Sequence, residues 1–380
     1  MTGGKRTLKN EKLARIYDQE ILPIWSMRFG RMLLRGLELP PKAMVLDVGC
    51  GTGYPALELL RRLDDQGRVI AVDSSPAMLD VARRKLAGFD QKVYGKKIFF
   101  RSESALPKLS FTDDVYDVVM CNLGLGEFED PQTALTDFMR VTKPGGRVLC
   151  TLPLAGTFGE FHDIFREVLV KHDRNDAIER LDRHLAEYPD ADDAERWLER
   201  AGLVDATVEV EEFTLLFRSA REFFFAPIIE YGPLAEWKAI AGSGQELQDV
   251  FWHIKQAIET YFADRAFEVT VKAGALRGRK PLAAERTAAD LILADPATSK
   301  LSAAAVHSRR LAESGLSIPL ATSEVELIDA EAEFAANVPT ALEDLIIGEA
   351  DEDVDARAAA ELDAFRPEPA TTPRTATDDD

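Results

Sequence analysis

A doubly wound α/β fold, with helices on both faces of a mostly parallel sheet of seven strands, is the architecture this 380-residue sequence predicts. Three observations carry the prediction. Short apolar runs alternate with helical patterns from about residue 43 to 201, and such alternation builds a parallel sheet covered on both sides. The first run, Val45 to Gly53 (VLDVGCGTG), ends in an acid and three glycines at alternate positions. The second, Arg68 to Asp73 (RVIAVD), ends in another acid twenty residues after Gly53. That is where a doubly wound sheet presents a carboxylate to ribose hydroxyls.

The elements follow in order. Residues 1–40 are expected to form a helical lid, with a helix over about Glu11 to Leu37 that turns Tyr17, Trp25 and Arg28 toward the site. The first strand covers about 43–49. The glycines after it let the backbone bend tightly and lie close to a ligand. A dinucleotide site needs G-x-G-x-x-G, the third glycine opening a helix beneath a pyrophosphate. Here that glycine comes one residue early, at Gly53, and Tyr54 holds the reserved place. Asp47 would repel a pyrophosphate but suits a ligand bearing an ammonium group. A helix over 54–65 leads to the second strand, 68–73. Ser74 and Ser75 suit an N-cap and Pro76 a first turn, which predicts a helix over 76–87 with Met78 in that turn. Lys96 to Arg101 (KKIFFR) reads as the third strand, with Ser102 and Glu103 just beyond it.

The fourth strand, about 115–121, runs into Asn122; a helix over 131–141 and a Pro-Gly-Gly turn precede the fifth, about 145–152. A helix over Asp190 to Ala201 and a sixth strand over Ala206 to Arg218 continue the pattern, and Ala266 to Ala275 alternates as a seventh, edge strand. Two long excursions interrupt it, at about 156–188, helical from Phe158 to Glu187, and at about 221–262. Excursions of that length beside a site are commonly lids or pockets.

The segment Val45 to Gly53 resembles motif I of the class I S-adenosylmethionine-dependent methyltransferases, and RVTKPGGRVLCTLPL at 140–154 resembles the family's L-K-P-G-G-x-L segment. The resemblance spans about residues 10–281, making 41–281 a methyltransferase domain. It implies a Rossmann-like sheet whose seventh strand inserts antiparallel, with S-adenosyl-L-methionine as cofactor. Asp47, Gly49, Cys50, Gly51 and Gly53 would surround that cofactor, Asp73 would take its ribose, and Ser74 and Met78 would lie nearby, Met78 near the adenine. Ser102 or Glu103 stands where relatives carry the aspartate that reads the adenine amino group, and Asn122 ends the fourth strand beside the site. Relatives acting on adenine or amide nitrogens carry N-P-P-Y or D-P-P-Y there; Asn122-Leu123-Gly124-Leu125 argues against such substrates.

Within the family, Thr151, Gly156, Thr157 and Glu160 resemble the pattern of malonyl-acyl-carrier-protein O-methyltransferases. The acceptor is then a small molecule or a carrier-bound acid, with Tyr17, Arg28 and His162 as candidates to meet it. An acidic carrier would call for a basic patch, and Arg166, Lys171, His172, Arg174, Arg180 and Arg183 are interleaved with acids in the first excursion. The competing acceptor is a quinone precursor or another apolar metabolite, with Phe223, Phe224, Phe225, Ile228, Ile229 and Tyr231 lining its pocket. A carboxylate acceptor needs no base, whereas a phenol or carbon acid usually does; His162, His172 and His253 are the base candidates, and no catalytic residue is assigned. A different class altogether, a non-catalytic cofactor-binding regulator or scaffold, would use the same glycines.

Composition bounds the partners. The formal charge is −20, but Leu282 to Asp380 holds 22 acids and 7 bases, so −15 of it lies in the last quarter. The remainder offers no basic footprint for nucleic acid. The stretch 282–380 is acidic and of low complexity, and is expected to be largely disordered. Its apolar clusters at Val325 to Phe334 and Ala341 to Ile347 are possible docking segments for a protein partner. The three cysteines show no metal or disulfide spacing, which suits reduced thiols in the cytoplasm. No run reaches the length of a membrane span, and the first residues lack a signal-peptide core.

Overall fold

The computed structural model describes residues 3–263 and 265–285; the expectations for the acidic stretch beyond Glu285 lie outside the described residues. The sheet has seven strands: β1 (Met44–Val48), β2 (Arg68–Asp73), β3 (Ile98–Ser102), β4 (Tyr116–Asn122), β5 (Thr142–Pro153), β6 (Val204–Phe217) and β7 (Phe267–Arg279). Their order is β3-β2-β1-β4-β5-β7-β6. The first five run parallel, and β7 inserts antiparallel between β5 and β6. The chain reverses its direction of winding between β1 and β4, and in open α/β sheets ligands bind at the strand ends there.

Period-two alternation sends β1 and β4 side chains to opposite faces. Val45, Val118 and Met120 pack with Leu149 beneath α2 (Ser26–Leu34), α3 (Ala56–Leu59) and α4 (Pro76–Ala87). Leu46, Val48, Val119 and Cys121 face α6 (Pro131–Val141) and α9 (Ala191–Arg200). Cys121 and Cys150 are register partners on neighbouring strands, and both are buried free thiols. A third apolar cluster joins α2 to the two excursions. These consist of α7 (Gly159–Lys171) and α8 (Asn175–Ala186), then α10 (Ala220–Phe225), α11 (Pro227–Glu230), α12 (Leu234–Ala241) and α13 (Gly244–Tyr261). A short α5 (Gln91–Tyr94) precedes β3.

Two helices differ from expectation. The N-terminal helix is interrupted: α1 (Gly3–Ile16) continues into a π-turn over Tyr17–Ile21, and α2 starts only at Ser26. Pro23 sits in the break and has no amide to donate to a continuing helix. The helix expected over 54–65 shrinks to α3. Asp64 Oδ1 draws in the backbone amides of Gln66 and Gly67, a local turn that competes with helix. At α4, Ser75 caps the first turn through Met78 N at 3.4 Å and Pro76 opens the helix, as the sequence implies. No helix among the described residues is long and apolar enough to cross a membrane.

Candidate functional site

The glycine segment leaves β1 and folds back across the end of β2. Gly49 N and Cys50 N both donate to Val72 O, at 2.9 and 3.0 Å. Gly49, Gly51 and Gly53 all have positive φ, at 71°, 51° and 96°, where a Cβ is disfavoured. A side chain on Gly53 would begin 2.9 Å from Leu57 Cδ1 and 3.1 Å from Ala82 Cβ, so this glycine lets α3 and α4 close on the turn. Gly49 and Gly51 meet only ordinary contacts, at 3.7 Å or more. Both are half-buried, with Gly124 Cα beside Gly49 and the Tyr17 ring beside Gly51.

Asp73 ties the turn to α4. Its Oδ2 accepts from Gly51 N and its Oδ1 from Ser75 N, each at 2.8 Å. Each oxygen keeps a lone pair for a further donor. Ser74 is exposed beside it and Met78 is half-buried. Ser102 pairs with Asp73 in the β2–β3 register and is exposed. Glu103 turns instead toward Arg101 Nε at 3.0 Å and Ser110 N at 2.6 Å.

Asp47 is fully buried, and neither carboxylate oxygen has a hydrogen-bond partner among the described residues. Burial and the neighbouring Asp73 raise its pKa well above the usual carboxylate range, offset in part by the Ala56 amide. The buried Thr52 hydroxyl in the same turn is also unpartnered. Buried polar groups are nearly always hydrogen-bonded, so such orphans ask for a partner that folding alone does not supply. Cys50 is buried and its thiol pKa is pushed up by desolvation first, then by Asp47 and Asp73.

The N-terminal segment covers this turn. The Tyr17 ring lies 3.7 Å from the point where a Gly51 side chain would begin, and its hydroxyl bonds Ser26 Oγ at 2.8 Å. Burial, then Asp73, Asp18 and Glu127, raise the Tyr17 pKa against the Ser26 hydrogen bond. Asn122 is buried; its Nδ2 donates to Ser26 O at 3.1 Å and its Oδ1 accepts from Thr151 Oγ1 at 2.8 Å. Its side chain thus holds α2 to the sheet. Tyr54 packs under α2 where Gly30 leaves room, since a Cβ there would fall 2.2 Å from Tyr54 Cε1.

Asp47, the glycines, Asp73, Ser74, Met78, Asn122 and Tyr17 therefore gather at one strand edge, with Ser102 level with Asp73. Arg28 lies elsewhere, exposed, with its guanidinium 4.7 Å above the Phe213 ring on β6. His162 is buried between aromatic rings on α7, and burial first, then His184, hold its pKa down to about 3, so it is neutral. His172 and His253 pair with each other, ring centroids 3.9 Å apart. His172 caps the C-terminal end of α7, about 20 Å along the helix from its start at Gly159.

Three of the four arginines of the first excursion are paired with acids, and Arg183 donates to Glu179 O at 3.4 Å. Arg166 meets Asp182, Arg174 meets Glu246, and Arg180 meets Asp176 and Ile240 O. Glu127, at the end of the 3-10 turn Gly124–Glu127 after β4, was not singled out from sequence, and neither was Thr52. Glu127 sits in a run of acids (GEFED) that reads as solvated surface. A recess of ≈ 450 Å³ lined by Glu11, Arg15, Ala77, Asp80 and Arg84 opens between α1 and the first turn of α4.

Residues 45–146 match the model of a family described as a methyltransferase domain. Three curated relatives are similar to the chain. The ubiquinone/menaquinone biosynthesis C-methyltransferase UbiE of Idiomarina loihiensis is 30% identical over 167 residues, 42% of this chain and 65% of the relative. The demethylmenaquinone methyltransferase of Renibacterium salmoninarum is 30% identical over 192 residues, 48% of this chain and 75% of the relative. The malonyl-[acyl-carrier protein] O-methyltransferase of Halorhodospira halophila is 35% identical over 178 residues, 47% of this chain and 54% of the relative. The chain thus spans less than two thirds of the first and third of these proteins.

Proposed function

The chain belongs to the class I S-adenosylmethionine-dependent methyltransferases, and from that premise we propose that it moves the methyl group of S-adenosyl-L-methionine to a small, largely apolar acceptor carrying an aromatic hydroxyl. The observation that carries the cofactor half is the strand edge at the winding reversal. There two half-buried glycines, the Asp73 carboxylate and the orphaned Asp47 carboxylate converge. Asp73 is assigned the ribose hydroxyls through the lone pairs that Gly51 and Ser75 leave free. Asp47 is assigned the positive end of the cofactor, acting on its ammonium directly or through the turn it underlies. When bound, the cofactor supplies a methyl already activated by the sulfonium charge. The chain's own work is then to hold the acceptor in line and keep water out. Tyr17 over Gly51 serves those ends, on a base of packed aromatic core that includes Phe158, Phe161, Phe223 and Trp237.

Two findings favour a neutral aromatic acceptor over a carboxylate on a carrier protein. Three of the four arginines expected to greet an acidic carrier, Arg166, Arg174 and Arg180, are paired with acids. Around the turn after β4, Glu127 and Glu236 act on each other and on Tyr17 and Tyr188, two acids in one region with the His184 ring 3.7 Å from Glu236. An acidic mouth repels a second carboxylate. The two quinone-related names among the relatives support the same reading.

The test is methyl-labelled S-adenosylmethionine incubated with the purified protein and cell extract, the products divided into organic-soluble and acid-precipitable pools. Label is expected in the organic-soluble pool. Label confined to the precipitate and released as methanol by mild base would overturn the acceptor assignment in favour of a carrier methyl ester.

A further inference from the structure

Glu127 is a carboxylate that the fold holds over the glycine turn with no hydrogen bond or ion pair to it among the described residues. It closes the 3-10 turn Gly124–Glu127, whose Gly124 Cα lies 3.7 Å from where a side chain on Gly49 would begin. Leu123 enters that turn with φ 69°, so backbone geometry, not a salt bridge, sets the position of the acid. Groups from three elements lie near enough for charge to act between them and Glu127: Tyr17 from the π-turn, Tyr188 after α8, and Glu236 on α12. The side chain reaches solvent, yet desolvation first and Glu236 second raise its pKa. An acid that water reaches while protein surrounds it lines a cleft rather than a convex surface.

An independent observation points to a ligand between this turn and the helical wall opposite. His184 Nδ1 lies 3.7 Å from Glu236, and the Nε2 atoms of His184 and His162 and Nε1 of Trp237 are buried without a partner. His162 is 4% exposed and Trp237 is fully buried. Their rings adjoin, with centroids 5.7 Å apart for His162 and Trp237 and 6.2 Å for His162 and His184. Three unsatisfied ring nitrogens in one cluster are unusual in a finished core and ask for a polar partner that the described residues do not supply.

We propose that Glu127 takes the proton of an aromatic hydroxyl acceptor held between the 3-10 turn and this wall. The proposal rests on the methyl-transfer reading above. The hydroxyl proton passes to the Glu127 carboxylate. The electron pair it leaves makes the new bond to the methyl carbon, and the methyl–sulfur bonding pair stays on sulfur, which departs as a neutral thioether. Where the ring carbon beside the oxygen attacks instead, that carbon's hydrogen leaves to water as a proton and Glu127 returns the first proton to the oxygen. After transfer at oxygen, Glu127 loses its proton to the solvent it already meets. Tyr17, Tyr188 and Glu236 are the titratable groups that share its field.

The test compares wild type, Glu127→Gln and Glu127→Asp with 1,4-naphthalenediol, kept reduced, as the probe acceptor. Labelled methyl transfer is followed from about pH 5 to 9, with S-adenosylmethionine affinity measured by calorimetry. A general base contributes about 100-fold or more. Glu127→Gln should therefore lower kcat by about that factor, leave cofactor affinity within about threefold, and remove the fall of kcat at low pH; Glu127→Asp should recover part of the rate. A Glu127→Gln enzyme that keeps its kcat and the wild-type pH profile overturns the proposal. Parallel losses of kcat and cofactor affinity overturn it too, since the carboxylate would then be holding the cofactor. A wild-type protein that binds no S-adenosylmethionine overturns the underlying reading and the proposal with it.

Discussion

Replacing Gly51 and Gly53 separately by alanine should split stability from cofactor binding. At Gly51 φ is 51°, inside the left-handed region that L residues reach, and a Cβ would meet nothing nearer than the Tyr17 ring at 3.7 Å. The cost is that of the left-handed conformation alone, about 1 kcal/mol. At Gly53 φ is 96°, beyond that region, and the Cβ would press on Leu57 Cδ1 at 2.9 Å, Ala82 Cβ at 3.1 Å and Leu57 Cγ at 3.3 Å. Strain and overpacking together cost about 2–4 kcal/mol. With about 2–4 °C lost per kcal/mol in a domain of this size, Gly51→Ala should melt about 2–4 °C low and Gly53→Ala about 4–16 °C low. The order inverts for binding relative to stability. A methyl on Gly51 would stand between the turn and the Tyr17 ring, in the space the proposed cofactor enters, so affinity should fall at least about tenfold, or about 1.4 kcal/mol. Thermal melting and calorimetric titration with S-adenosylmethionine read the two effects. A Gly51→Ala protein that binds as wild type does, or that melts as low as Gly53→Ala, refutes this division of labour.

Other expectations follow from the same geometry. Because the folded state raises the Asp47 pKa, that group's contribution to stability is full at low pH and is lost as pH rises through the folded value. Asp47→Asn should accordingly raise the melting temperature of ligand-free protein near pH 8 more than near pH 4, while weakening S-adenosylmethionine; an equal shift at both pH values would count against an ionisable orphan. Thr151→Val removes the hydroxyl that bonds Asn122 Oδ1 and should cost about 1–2 kcal/mol in denaturant unfolding, with no change if that bond is incidental. Tyr17→Ala should speed cofactor dissociation in stopped-flow displacement, since the ring covers Gly51; an unchanged rate would show that the N-terminal segment does not retain the ligand. Cutting the chain after Glu285 should leave a folded, cofactor-binding protein, and loss of binding would contradict it. The cut falls after Glu285 because Glu285 pairs with Arg279 at 2.9 Å and accepts from Leu282 N at 2.6 Å.

The parallel strands were legible because both their faces are buried, which writes them as unbroken apolar runs such as Val118 to Cys121 and Val69 to Val72. Asp73 and the glycines were legible because their roles depend on spacing along one stretch of chain. What stayed hidden depends on distant chain segments. The break before α2 turns on a single residue, Pro23, inside an otherwise helical pattern. Asn122 reads as a residue beside the cofactor, yet its amide is engaged by Ser26 and Thr151, 96 and 29 positions away. Glu127 gains its setting from Tyr17 and Glu236, on opposite sides of it in the chain and each about a hundred residues distant. Histidines 172 and 253 looked alike as base candidates to His162 until the fold paired them at the C-terminal end of α7.

The measurement that bears most directly on the central claim is calorimetric titration of S-adenosylmethionine into wild type and Asp73→Ala, each first shown to be folded by thermal melting. Wild type should bind one equivalent. Loss of two charge-assisted hydrogen bonds from the ribose should weaken Asp73→Ala by about 100-fold or more, at about 1.5–3 kcal/mol per bond. A folded wild-type protein that shows no binding, or a variant that binds equally well, would contradict the assignment of this strand edge as the cofactor site.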